Sequence, residues 1–321
     1  MEPVSFLSFG ESCVLVFVDV GLLGGNTECI VAVAFVVCCS KNVKKSGKFA
    51  EVSIKFGVQS VFFFRSALQT TRMNNQTIIP PTFVLDEYYY SISAILTIGI
   101  QLACYAVAAT CKFDLITDFA GSTNFVVLSV LTLVLGNNFG SRGIAITVLV
   151  LFTRLYLAFF LLFRVCKRKK DARFDEVRGN CIAFLVFWVF QMFWVFLCMM
   201  PVLYINSRGQ QEDALTPLGY WDYVGWAIFA IGIIIQVTAD YQKYFFRKNP
   251  ENKGQFMATG VWGYSRHPNY FGEILIWWGA FLCAIPVIPF GQGTSGQIAA
   301  GIVTILSPLF TMFILILGSG T

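Results

Sequence analysis

Long apolar runs follow one another along the chain, and short polar segments separate them. A membrane-spanning helix needs about 20 mostly apolar residues, and nine runs approach or exceed that length. The predicted spans lie at 13–39, 52–68, 91–110, 124–139, 143–165, 181–205, 221–241, 270–290 and 298–318. The pattern therefore predicts an all-α, polytopic transmembrane bundle of about eight or nine helices.

Charged side chains, among them Asp19 and Arg65, interrupt the first two runs, whereas the later runs are more uniformly apolar. The chain shows no repeat at a fixed period and no Gly/Ser-rich or Pro-rich linker. We therefore predict two parts, an N-terminal membrane segment over 1–85 and a transmembrane domain over 86–321.

Composition supports a bilayer as the natural surroundings. Hydrophobic residues make up 56% of the chain and charged residues only 13%, whereas soluble domains carry about 25% charged residues. The modest basic excess lies in short clusters between apolar runs, which indicates membrane topology and not a nucleic-acid partner. With one His and no Cys-x-x-Cys pair, we predict no metal site.

The basic clusters alternate with the predicted spans. They occupy 41–48, 167–178 and 243–266, after the first, fifth and seventh spans. Because basic loops stay in the cytosol, this arrangement predicts a lumenal or extracellular N-terminus and a cytosolic C-terminus. Asn75 begins an Asn-Gln-Thr glycosylation sequon in a loop that the same scheme places outside.

Polar chemistry concentrates in the segment 240–273. Asp240, Lys243, Tyr244 and Arg247 are spaced to share one helix face. One carboxylate and two cations on such a stripe suit a ribose hydroxyl and a diphosphate. The alternative is an interfacial anchor, in which the cations extend to the membrane surface and Asp240 pairs with one of them.

The eighth predicted span opens with residues that suit an anion. A helix start presents free N–H groups and a positive dipole end, and Arg266 adds a full charge. Glu273 follows at the second turn and is placed to accept hydrogen bonds from a sugar or an amide. We predict a ligand site here, to which the neighbouring polar and aromatic residues contribute: Trp262, His267, Asn269 and Tyr270.

The stretch GVWGYSRHPNYFGE at 260–273 resembles the signature of the steroid 5-alpha-reductase superfamily. It is most similar to the uncharacterised branch called domain of unknown function 1295, in which a Trp-rich helix follows, here ILIWWGAFL. Sterol C14-reductases and isoprenylcysteine methyltransferases carry related elements. Segments at 153–178, 186–202 and 239–256 also look like that branch, so the resemblance covers about 110–321.

The resemblance implies a membrane enzyme of the endoplasmic reticulum that uses NADPH to reduce a carbon–carbon double bond of a steroid, sterol or other lipid. Positions matching Asp240, Arg247, Asn269 and Glu273 contact the cofactor in the reductases, and four further positions lie on the cofactor side: Lys243, Arg266, His267 and Tyr270. The acid of the steroid reductases, a Glu and Tyr pair on early helices, has no clear match. Candidates without a motif are Glu28, Asp86, Glu87 and Tyr88–Tyr90.

Two other functions fit the same motif. An S-adenosylmethionine-dependent lipid or isoprenylcysteine-type methyltransferase also holds an anionic, adenosine-bearing cofactor at such a helix start. A non-catalytic membrane protein of the same fold is the third possibility. The family resemblance implies a charged tail that closes over the cofactor, whereas this sequence stops at ILGSGT. We therefore expect a reductase-like domain without that usual C-terminal tail.

Overall fold

The computed structural model describes residues 85–111, 117–168, 180–209, 216–291 and 293–318, together with the backbone of short strands between residues 14 and 78. The four lysines of the first basic cluster, residues 169–178 of the second and Asn75 of the sequon lie outside the described residues. The described helices begin at Tyr90, so the bundle that they form lies in the predicted transmembrane domain.

The strands replace the first two predicted spans. β1 and β2 pair antiparallel from Val14↔Val37 to Leu22↔Cys29, and β2 pairs in turn with β5. The prediction of membrane helices at 13–39 and 52–68 is therefore wrong. The strands are β1 (Val14–Leu22), β2 (Glu28–Val37), β3 (Asn42–Val43), β4 (Val52–Ser53), β5 (Val61–Ala67), β6 (Thr71–Met73) and β7 (Gln76–Ile78).

The remaining seven predicted spans are confirmed as helices long and apolar enough to cross a membrane. The helices are α1 (Tyr90–Cys111), α2 (Thr117–Leu135), α3 (Ser141–Arg168), α4 (Cys181–Ser207), α5 (Tyr220–Lys248), α6 (Pro268–Ala284), α7 (Ser295–Ile302) and α8 (Leu306–Gly318). A 3₁₀ turn joins α7 to α8, and together they form the last span. The protein is thus an integral, multi-pass membrane protein with an all-α bundle.

Successive spans run in opposite directions. At one end, the Gln191 amide of α4 donates to the carbonyl of Thr117, where α2 begins. At the other end, Arg142 near the start of α3 bonds to Asp222 near the start of α5 at 2.7 Å. We call the end where α5 leaves the bundle and α6 enters it the basic end, since Arg247 and the rest of the third basic cluster lie there.

Two pairs of glycines bring α5 and α6 into close contact. A Cβ on Gly272 would lie 2.7 Å from the carbonyl oxygen of Gly232, and one on Gly279 would lie 2.6 Å from that of Gly225. Only glycine permits this approach, because any side chain would meet backbone. The two helices that carry the predicted site are therefore held directly against each other.

Candidate functional site

The start of α6 is built as the sequence predicts. Pro268 occupies the first turn, and His267 precedes it as the N-cap with a φ of −139° and a ψ of 63°. The His267 ring stacks on Tyr270 with centroids 4.8 Å apart, while Arg266 is exposed beside them. This helix entrance offers a cation and a positive dipole end to a ligand that approaches from the basic end.

Glu273 points into the bundle. Its carboxylate accepts hydrogen bonds from Arg154 of α3, from the Gln236 amide of α5 at 2.9 Å and from the indole of Trp277 at 2.9 Å. Arg154 Nη2 lies 2.8 Å from Glu273 Oε1, and both side chains are buried. Three helices therefore converge on one carboxylate within the membrane-spanning part.

Arg154 and Gln236 are the Glu273 partners that the sequence interpretation missed, and Arg154 carries the charge. Its guanidinium lies 5.0 Å from the centroid of the Phe125 ring and 5.2 Å from that of Trp277. Its Nε and Nη1 are buried and, within the described residues, have no hydrogen-bond partner. Buried charged donors without partners are costly, so these atoms indicate a place for an acceptor that the protein does not supply.

Asn269 lies one turn before Glu273 on the same helix face, about 6 Å away by helix geometry. Its Oδ1 is buried and also has no hydrogen-bond partner among the described residues. The site thus leaves an acceptor on Asn269 and donors on Arg154 unsatisfied. A carboxamide, which carries both an N–H donor and a carbonyl acceptor, matches this combination.

The predicted stripe on α5 exists, but its members have different surroundings. Asp240 is half-buried and close enough to Tyr156 of α3 to interact electrostatically. Tyr244 packs against Phe163 at a centroid distance of 5.6 Å. Arg247 is exposed. The carboxylate therefore lies at the α3–α5 contact, and the arginine lies near the end of α5, among the cations of the basic end.

Trp262 serves mainly in packing. Its indole N–H donates to the carbonyl of Ala239 at 3.0 Å, and the ring is 7% exposed. Lys243 Nζ lies 4.4 Å from the centroid of that ring. The backbone of Gly260 lies close to the side chain of Gln242, because a Cβ at this glycine would lie 2.5 Å from the Gln242 amide.

The acid candidates near residue 88 lie at the end opposite to the basic end. Asp86 accepts hydrogen bonds from the backbone N–H groups of Tyr88, Tyr90 and Ser91, so it caps α1. Burial and the Glu87 carboxylate raise the pKa of Tyr88. These groups stabilise the start of a helix, and the structure does not bring them to the Arg154–Glu273 pair. Glu28 lies in β2, outside the described side chains.

Two buried amides lie on the inner faces of α1 and α2. Gln101 and Asn124 are both 0% exposed, and neither finds a hydrogen-bond partner for its side-chain oxygen or nitrogen within the described residues. Asn124 precedes Phe125, whose ring contacts Arg154. α1 and α2 therefore each place an uncharged polar side chain in the interior of the bundle. The described residues hold no group of three or more His, Cys, Asp or Glu side chains that suits a metal ion.

Three curated proteins are similar to short parts of this chain. The chain is 29% identical over 112 residues to an uncharacterized protein of Schizosaccharomyces pombe, which covers 29% of this chain and 31% of that protein. It is 39% identical over 46 residues to a probable O-methyltransferase of Ustilaginoidea virens, covering 14% of this chain and 16% of the relative. No solved structure matches.

A third relative is the Delta(14)-sterol reductase of Arabidopsis thaliana, 32% identical over 59 residues, which cover 15% of this chain and 16% of the reductase. The matched segments thus span less than a third of each curated relative. The family model described as protein of unknown function (DUF1295) matches residues 104–321. These residues include the helix α6 entrance, Arg154 and Glu273, and the chain therefore belongs to the DUF1295 family.

Proposed function

We propose that this protein is a membrane oxidoreductase that uses NADPH to reduce a carbon–carbon double bond of a steroid, sterol or other lipid. The observation that carries the proposal is the unsatisfied set around Glu273. Asn269 Oδ1 and two nitrogens of Arg154 are buried without hydrogen-bond partners, and a nicotinamide carboxamide supplies the complementary acceptor and donor. The endoplasmic reticulum, the site expected from the superfamily resemblance, is the proposed location.

The chain's own groups fit the remaining parts of this cofactor. Exposed Arg247 and Arg266 suit the phosphates, helped by the positive end of α6. Asp240 suits a ribose hydroxyl, because a carboxylate accepts from O–H groups. NADPH would supply a hydride to one carbon of the alkene, and a proton would be added to the neighbouring carbon. The protein would hold the two reactants together and exclude bulk water. Glu273 would orient the carboxamide while Arg154 and Gln236 fix the carboxylate itself.

The substrate would enter from the bilayer, which surrounds the exposed apolar faces of the bundle. Gln101 and Asn124 are uncharged, buried and unsatisfied, so they suit a carbonyl or hydroxyl group and not a charged headgroup. This agrees with a steroid or another neutral lipid. The short similarity to the sterol reductase of Arabidopsis thaliana supports the same substrate class.

An S-adenosylmethionine-dependent methyltransferase is the second candidate. The 39% identity over 46 residues to a probable O-methyltransferase favours it. Both cofactors contain adenosine, but only NADPH carries a carboxamide and a diphosphate. The site's two unsatisfied features and its exposed arginines therefore favour NADPH over S-adenosylmethionine.

Thermal unfolding of the detergent-solubilised protein tests the proposal. A ligand at 100 times its dissociation constant stabilises a protein by about 2.7 kcal/mol, and we expect such a shift with NADPH and a smaller one with S-adenosylmethionine. Arg247→Ala and Asn269→Ala should each remove the NADPH shift. Lys253→Ala, an exposed cation in the same segment, should keep it and is the control.

Other results of the thermal-unfolding experiment would support a different function or a different binding site. A larger shift with S-adenosylmethionine would support the methyltransferase. No shift with either cofactor would support a non-catalytic protein of this fold. If Arg247→Ala and Asn269→Ala both keep the full NADPH shift, NADPH does not bind at the start of α6.

A further inference from the structure

A groove with a volume of about 630 Å³ lies along the outside of α5 near the basic end. Thr238, Tyr241 and Phe245 form its floor on α5, and Met257 and Gly260 form a wall on the segment that follows. By helix geometry Tyr241 and Phe245 point about 100° or more away from Asp240. The floor of the groove therefore lies on a neighbouring face of α5, where Tyr241 packs against Tyr156, the tyrosine that also interacts with Asp240.

Hydrogen bonds fix the wall of the groove. The backbone N–H of Val261 donates to Gln242 Oε1 at 3.0 Å, and Trp262 Nε1 donates to the carbonyl of Ala239 at 3.0 Å. Gly260 has a φ of 61°, in the left-handed region that favours glycine. The chain is thus folded back against α5 by specific contacts, so the concave shape is part of the fold.

The groove lies where α5 leaves the hydrocarbon layer. The helix has 29 residues and is therefore about 43 Å long, whereas the hydrocarbon core is about 30 Å thick. Exposed Trp221 and Tyr223 at its start are typical of one membrane interface. The groove lies in the second half of the helix, from Val237 to Phe246, and so reaches from acyl chains to headgroups.

The end of the groove nearest the C-terminus of α5, called its polar end, carries positive charge. Lys248 follows Tyr241 and Phe245 at seven and three residues, so the three side chains share one face. Lys248 is exposed. The exposed charged residues of 247–266 are four cations and one acid, listed in order as Arg247, Lys248, Glu251, Lys253 and Arg266. An anionic group is favoured there.

We propose that this groove binds one anionic phospholipid from the adjacent leaflet. An acyl chain lies along Tyr241 and Phe245, and the phosphate contacts Lys248. Apolar floor, interfacial depth and a cation at the polar end are the three features that an anionic phospholipid combines. The lipid site and the proposed cofactor site use different cations, because Lys248 lies on the face of Tyr241 and Phe245 whereas Arg247 lies on the face of Asp240. The lipid proposal therefore does not depend on the proposed reductase activity.

Native mass spectrometry of the full chain tests the proposal. The protein is delipidated in mild detergent and mixed with dioleoyl phosphatidylglycerol or dioleoyl phosphatidylcholine. We expect one phosphatidylglycerol molecule to be retained preferentially. Thr238→Trp fills the groove and should reduce that retention about tenfold or more, since several buried methylenes lose their contacts. Val186→Trp, a lipid-exposed position on α4 away from the groove, is the matched control and should retain the lipid.

Lys248→Glu should remove the preference for phosphatidylglycerol, whereas Lys253→Glu, outside the groove face, should leave most of it. Equal retention in Thr238→Trp and Val186→Trp would show only nonspecific boundary lipid and would overturn the site. Equal retention of both lipids by the unchanged protein would overturn the anionic preference. The NADPH-induced thermal shift should be unchanged in Lys248→Glu, so this result and that of the proposed cofactor site are separable.

Photocrosslinking of the unchanged protein gives a second measurement that does not require Thr238→Trp to fold. Phosphatidylglycerol with a diazirine on its acyl chain should label peptides 237–246 and 257–260 above the lipid-exposed Phe152 and Phe159 of α3. Labelling that is even over all lipid-facing helices would contradict the proposal.

Discussion

Two buried arginines differ in how completely the protein satisfies them. Arg142 donates to both carboxylate oxygens of Asp222, at 2.7 and 2.9 Å, and also to the backbone carbonyl and hydroxyl of Thr216. Arg154 bonds to Glu273 but leaves Nε and Nη1 without partners. The first pair joins α3 to α5 as a structural contact. The second keeps hydrogen-bonding capacity for a ligand.

Replacing each arginine by methionine separates these roles. Arg142→Met leaves Asp222 buried without its partner and should destabilise the bundle by about 3–5 kcal/mol, while the NADPH-induced shift remains. Arg154→Met should remove that shift, and its cost should be smaller because Gln236 and Trp277 still donate to Glu273. Thermal unfolding in detergent with and without NADPH measures both effects.

Glu87→Gln is the control for the removal of a charge, since Glu87 pairs with Arg208 at 3.4 Å and its side chain is 53% exposed. It should change stability by less than about 1 kcal/mol. The assignment of roles would be wrong if Arg154→Met kept the shift.

The sequence predicted part of this site, and the missing part has a physical reason. Asn269 and Glu273 belong to a contiguous motif with recognisable spacing, so they were found. Arg154 and Gln236 are single polar residues in long apolar helices, and only helix packing brings them to Glu273. A charge inside a predicted span was the available signal for Arg154. Nothing comparable marked Gln236.

At the scale of elements, the contact between α5 and α6 positions the site. Gly232 and Gly272 allow the helix backbones to approach. Gln236 lies one turn after Gly232, and Glu273 directly follows Gly272. Separation of these helices would therefore lengthen the hydrogen bond that orients the Glu273 carboxylate.

Gly272→Ala tests this dependence. The new Cβ would lie 2.7 Å from the Gly232 carbonyl oxygen and 2.8 Å from the backbone nitrogen of Gln236. We expect a loss of about 1–3 kcal/mol in stability and a weaker NADPH-induced shift. Gly99→Ala in α1 has nothing within 4 Å of its Cβ and should be neutral or stabilise the helix by up to about 1 kcal/mol. Equal melting temperatures in the two variants would contradict the close packing.

The wrong prediction of membrane helices in the N-terminal part also concerns whole elements. The runs VLVFVDVGL and ECIVAVAFVV are as apolar as a membrane helix, so hydropathy alone assigned them to one span. Their Val, Ile and Phe content favours strands. The sequence between them contains Gly24, Gly25 and Asn26, residues typical of hairpin turns. For α1 to α8, the uninterrupted length of each apolar run was enough to predict a helix.

For the whole molecule, the two N-terminal spans that were predicted wrongly account for two membrane crossings. Removing an even number of crossings leaves the predicted orientation of the other seven spans unchanged. The segment between α5 and α6 is still expected in the cytosol, since it carries Arg247, Lys248, Lys253 and Arg266 against Glu251. The turn between α6 and α7, at the opposite end, is then expected in the lumen. The orientation therefore depends on the basic segment and not on the N-terminal part.

Two glycines give a matched pair of insertion points for testing that orientation. Gly254 and Gly291 have φ values of 80° and 79°, and neither has an atom within 4 Å of a Cβ position. A short epitope after either residue should be tolerated, because both lie in exposed turns. In cells permeabilised with digitonin, which opens only the plasma membrane, antibody should stain the epitope after Gly254. The epitope after Gly291 should stain only after all membranes are dissolved. The reverse pattern would place the site at the start of α6 in the lumen, away from cytosolic NADPH, and would contradict the proposed function together with the topology.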